Sequence, residues 1–244
     1  MRIRMPRKSL RFFGGALVGL VTALVGSPAH AGTATFVTPT GATIGGHPVD
    51  AQVTFTTSFH SLSITLTNLE ANPTDVAQNL SDLSFTISGG SLTGAFLFSS
   101  SGQEITVHSN GTYTTGSTGL AGWSPTLSGT SGLLDDLSGP GHAGPAHTII
   151  GPPDAGNTYS NANNSITGNG AHNPFLNQTV TFTISGSNIT SDTTVTAATF
   201  SFGTTSGSDV IGHMPVPEPS SLVLGLMGAG LVGAVRYRRT RRRA

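Results

Sequence analysis

The chain has 244 residues, 33 of them glycine and none cysteine, so disulfide frameworks and thiolate metal sites are excluded. Its 11 basic and 11 acidic residues balance only formally: Arg2, Arg4, Arg7, Lys8 and Arg11 sit at one end and six arginines between Arg236 and Arg243 at the other. The body between them has no Lys or Arg and ten carboxylates, Asp50, Glu70, Asp75, Asp82, Glu104, Asp135, Asp136, Asp154, Asp192 and Asp209, which excludes a phosphate-gripping surface and with it nucleic acid as a partner.

Residues 1–31 have the layout of a secretory signal. A basic start leads into an apolar run, Phe12–Val25, and then into Ala29-His30-Ala31. The run is short for a bilayer span, and small residues at Ala29 and Ala31 suit signal peptidase, which predicts a signal-peptide helix cut after Ala31.

Residues 32–214 form the predicted exported domain. Val53, Phe55 and Thr57 alternate with polar neighbours, as do Leu62, Ile64 and Leu66, then Leu83, Phe85 and Ile87, Val180, Phe182 and Ile184, and Thr199–Phe202. A period of two marks half-buried strands. Short runs bounded by Ser, Gly, Asn and Pro, without helical periodicity, predict an all-β body, an antiparallel β-sandwich with a jelly-roll-like arrangement. Ser58–Ser61 is a predicted turn, and 68–81 a connection with one helical turn near Val76–Leu80. The Gly-, Pro- and Asn-rich interval 116–174 is too long for a structureless loop, so it should hold short strands or a helical turn.

The body offers weak catalytic signals. Ser and His are plentiful, but no G-x-S-x-G elbow is present. His142 and His147 near Asp135, Asp136 and Asp154 match no helical ligand array and read as solvated loop residues. Asp135-Asp136 cannot be a glycosidase dyad if extended, because neighbours on a strand face opposite ways, and the pair reads as a solvated turn. Trp123, Tyr113, Tyr159 and Tyr237 are too few for a sugar-binding aromatic platform. No catalytic residue, metal site or cofactor is assigned; calcium on oxygen-rich loops such as Asp154–Asn164 is the more reasonable ion for an acidic, all-oxygen extracellular body.

The C-terminal part, 215–244, has three ordered pieces: Val216, Pro217, Glu218, Pro219 and Ser220; an uncharged apolar stretch over 220–235; and Arg236, Arg238, Arg239, Arg241, Arg242 and Arg243. Prolines flanking Glu218 hold the backbone extended for a protease to grip. About 16 residues give a helix of roughly 24 Å, which snorkelling arginines extend to a transmembrane helix. The arginines stay in the cytoplasm and leave the body outside.

This tripartite tail resembles the PEP-CTERM sorting signal. The resemblance implies transient residence in the inner membrane, a cut near Pro217-Glu218-Pro219 by an exosortase-like protease, and delivery to the cell surface or medium of bacteria that make extracellular polysaccharide. The chain as a whole thus reads as a non-catalytic cell-surface or extracellular-matrix protein. A secreted polysaccharide-active hydrolase is the rival, and would need two carboxylates from separate strands converging in a cleft. A glycan- or calcium-binding module is the third reading.

Overall fold

A computed structural model describes residues 32–119, 121–139 and 141–215. The signal-peptide helix and the transmembrane helix expected from the sequence lie outside these residues; among the described ones, no helix is long and apolar enough to cross a membrane.

The described chain is built of strands: β1 (Gly32–Val37), β2 (Thr43–Ile44), β3 (His47–Pro48), β4 (Ala51–Ser58), β5 (Ser61–Asn68), β6 (Leu80–Ser88), β7 (Phe96–Val107), β8 (Tyr113–Gly119), β9 (Ser124–Ser128), β10 (Ser131–Asp135), β11 (Ile149–Ile150), β12 (Phe175–Ser185), β13 (Thr194–Phe202) and β14 (Asp209–Ile211). Each alternating run read from the sequence is a strand with its apolar residues inward. In β5, Leu62, Ile64 and Leu66 are wholly buried while Ser61, Ser63, Thr65 and Thr67 are half-exposed. The predicted turn between β4 and β5 is a two-residue one. His60 takes φ 61° there, and the Phe59 ring stacks on it at 3.7 Å. The expected helical turn is a 3-10 turn, Val76–Gln78, capped by Asp75 accepting from the Ala77 N–H and by Gln78 reaching back to the Asp75 N–H.

Twelve strands form one continuous sheet, and β2 and β3 make a separate hairpin. One half of the sheet runs β1-β4-β5-β12-β7-β8 and the other β14-β13-β6-β10-β9. The two-residue strand β11 joins them: Ile149 pairs parallel with Leu176 of β12 and antiparallel with Leu80 of β6. The other pairings in this sheet are antiparallel. Asn68, fully buried at the end of β5, holds the join by donating to the Ile149 carbonyl (2.8 Å) and the Gln78 carbonyl (2.9 Å) while accepting from the Glu70 N–H (3.0 Å).

The sheet folds so that its inner faces share one core. Val53, Phe55, Ile64 and Phe182 on one half join Leu83, Phe85, Ile87 and Phe200 on the other in one hydrophobic cluster. The Phe55 and Phe85 rings meet at 5.3 Å, and Trp123 lies 5.4 Å from Phe182. Gly132, opposite Phe85 in the β10–β6 ladder, is needed for this packing: a Cβ there would fall 2.2 Å from the Phe85 ring.

The interval 116–174 contains the expected short strands, β9, β10 and β11, but 151–174 makes only turns. Those turns are fastened from beneath by a second cluster that includes Ile105, Val107, Ile150, Tyr159, Ile166 and Phe175. The Tyr159 hydroxyl donates to the Gly151 carbonyl (3.0 Å), and Asn173 accepts from the Val107 N–H (2.8 Å). An otherwise polar segment is thus closed onto the body by two apolar anchors and side-chain amides.

Candidate functional site

The sorting segment leaves the body at a defined place. His213 pairs with Val37 of β1 through two backbone hydrogen bonds of 2.9 Å, so the last residues of the body are tied to its first strand. Met214 and Pro215 follow, exposed. Val216, Pro217, Glu218, Pro219, Ser220 and the six arginines lie outside the described residues, as do Ala29 and Ala31. Glu218 is five residues past His213, at most about 17 Å of extended chain. A membrane-embedded tail would therefore hold the β1 edge close to the bilayer.

Within the body, strand register gathers carboxylates that the sequence scatters. Ser124, Asp135, Asp82, Ser201 and Asp209 are successive cross-strand partners on β9, β10, β6, β13 and β14. Directly opposed residues share a face, so these side chains form one transverse row on the outside of the sheet. The Ser201 hydroxyl donates to Asp209 and also engages Asp82. Burial, then the neighbouring Asp135 and Asp209, push the Asp82 carboxyl up to about 6, against the opposing effect of the Ser201 hydrogen bond.

The Asp135 carboxylate is engaged locally: it accepts from the Leu137 N–H (2.7 Å), the Ser138 N–H (3.3 Å) and the Ser138 hydroxyl. Beside the acidic row lies an open trough of about 330 Å³ floored by Ser84, Thr86, Thr199 and Leu133.

The solvated turn expected at Asp135-Asp136 is corrected. Asp135 ends β10 with 8% exposure and Asp136 has none, because the ladder continues one residue further, the Asp136 N–H donating to the Ser81 carbonyl at 3.0 Å. The two side chains do face opposite ways, as extended backbone requires. Asp136 turns inward, where neither oxygen has a hydrogen-bond partner among the described residues. Burial, with Asp135 adding to it, pushes its carboxyl up to about 8.

His142 is exposed, and His147 is half-buried with Nε2 3.0 Å from Glu104. A hydrogen bond from Ser117, reinforced by His147, holds the Glu104 carboxyl below its ordinary range. In the loop first considered for calcium, the Asp154 carboxylate accepts from Gly156, Thr158 and Ser160 of its own turn. Trp123 and Tyr159 are buried, while Phe96 and Phe98 are exposed on β7. No group of three or more His, Asp or Glu among the described residues is arranged to hold a metal.

The sequence could not show the acidic row. Asp82, Asp135 and Asp209 are separated by more than fifty residues at each step, and only the ladder registers align them. The alternation around Asp82 did place it on the outer face, which was the available signal.

No curated protein and no solved structure matches the chain. A family model does match its end: the PEP-CTERM protein-sorting motif, over residues 215–242. The match begins two residues beyond the His213 pairing, where the body's ladder ends. The chain thus carries at its C-terminal end a PEP-CTERM protein-sorting motif, the kind of segment that marks exported proteins for processing by an exosortase.

Proposed function

We propose that the chain is a non-catalytic cell-surface or extracellular-matrix protein. Residues 1–31 act as a signal peptide removed by signal peptidase at Ala29-His30-Ala31, and 32–214 are the exported cargo, a jelly-roll-like β-sandwich made by one folded sheet. Residues 220–235 span the inner membrane transiently, with Arg236–Arg243 in the cytoplasm, until an exosortase-like protease cuts near Pro217-Glu218-Pro219. The observation that carries this reading is the sorting motif starting where the folded body stops.

A non-catalytic body is supported by the acidic row. Asp135 is tied up by its own turn, and the Ser201 hydroxyl occupies the space between Asp82 and Asp209 that a hydrolase would leave for a water and a glycosidic bond. The trough beside the row, where the hydroxyls of Ser84, Thr86 and Thr199 stand among the apolar Leu133 and Ala198, suits a sugar surface that presents both hydroxyls and C–H faces, such as extracellular polysaccharide.

Intact mass spectrometry of the protein recovered from cell surface and medium tests the reading. The expected mass lacks 1–31 and ends near Pro217-Glu218-Pro219; a product retaining Leu222–Ala244 would defeat it. Replacing Pro217, Glu218 and Pro219 with alanine should trap the protein in the inner membrane, as read by fractionation.

A further inference from the structure

The inward side of the β6–β10 pair carries a second, separate constellation. Asn79, Ser81 and Asp136 are each fully buried. Asp136 stands directly opposite Ser81, its N–H bonded to the Ser81 carbonyl, and Asn79 lies two residues before Ser81, between the 3-10 turn and β6. Asn79 Oδ1, Ser81 Oγ and both Asp136 carboxylate oxygens have no hydrogen-bond partner among the described residues.

The chemistry of this set is one-sided. Asn79 Oδ1 can only accept, as can both oxygens of Asp136 once it is ionised, and the Ser81 hydroxyl, which could donate, has no hydrogen-bond partner among the described residues. The Asn79 amide N–H₂ is turned away, toward Thr148 Oγ1 at 3.2 Å, which points its carbonyl oxygen in the other direction. No positive side chain exists to neutralise Asp136, since the body has no Lys or Arg and the charge beside Asp136 is another carboxylate, Asp135. Four buried oxygens without a hydrogen-bond partner, on Asn79, Ser81 and the facing Asp136, are the kind of ligand set that a hard cation takes.

We propose that Asn79 Oδ1, Ser81 Oγ and the Asp136 carboxylate form a structural cation site inside the sheet, suited to calcium and completed by water. A single carboxylate places the affinity in the weak range of extracellular modules, with Kd about 10⁻⁴–10⁻³ M. The site is independent of the outer acidic row and of the sorting tail.

The test is thermal unfolding of the full chain in detergent after exhaustive chelation, titrated with calcium chloride and, in parallel, with magnesium chloride at equal ionic strength. Calcium at about ten times Kd should raise the melting temperature by about 4 °C. Magnesium, which demands a tighter octahedron, should give less than half of that. Asp136→Asn should abolish the calcium shift, while Asp192→Asn, on the exposed surface, should keep it. Ser81→Ala, a milder change should Asp136→Asn fail to fold, should weaken calcium about tenfold by the same readout. Absence of a calcium shift in the native chain, or an equal shift in Asp136→Asn or Ser81→Ala, would overturn the site and leave a protonated Asp136 beside internal water.

Discussion

Asp136 sets the behaviour of the body toward pH. Its carboxyl ordinarily titrates near 3.8 and in the fold at about 8. Between those values the folded chain holds a proton that the unfolded chain has released, so stability is greatest below the window and falls as pH rises through it. Asp82 adds the same sign between 3.8 and about 6. Asp75, Glu104 and Asp154, held below their ordinary values, act oppositely, and only at more acid pH. In chelator, the melting temperature should therefore decline from pH 5 to pH 8, at no more than about 1.4 kcal/mol per pH unit for one such group. Asp136→Asn should flatten the decline above pH 6, leaving the Asp82 part below it; a wild-type curve rising toward pH 8 would contradict this account.

Among the elements, β11 carries a disproportionate share of the architecture, because two residues join the halves of the sheet. Asn68 is its fastening. Asn68→Ala would leave the buried carbonyls of Ile149 and Gln78 short of a donor and should cost about 3 kcal/mol, measured by denaturant unfolding, with faster amide exchange at Leu176 than at Phe182. This join also marks how far the sequence could be read. The strands β4, β5, β6, β12 and β13 were legible because their apolar residues recur at every second position. The long strand β7 was not: its residues Phe96, Phe98 and Ser99 are exposed, and apolar alternation resumes only at Ile105 and Val107. Strand β8 is almost wholly exposed, so its Thr and Gly residues have no periodic demand on them. Asp135-Asp136 was misread as solvated because charge argues for water, while the ladder to β6 buried both. The sorting motif, by contrast, was legible, since its pieces are contiguous in the sequence.

At the scale of the whole molecule, charge geography becomes a measurable property of processing. The complete chain has a sequence isoelectric point of about 7.1. Losing both basic ends leaves ten carboxylates and no Lys or Arg in 32–217, so isoelectric focusing of the surface product should place it below about 5. A band still near neutrality would mean that both basic ends persist. The backbone pairing between Val37 and His213 bears on the order of events during export. A strand that crosses first is sealed by residues that cross almost last, so the fold cannot be completed while its final turn is still inside the translocation channel. The closing of this pairing and the emergence of the sorting segment are then nearly simultaneous. Slowing that closure, rather than altering the cleavage motif, would be a second way to delay release.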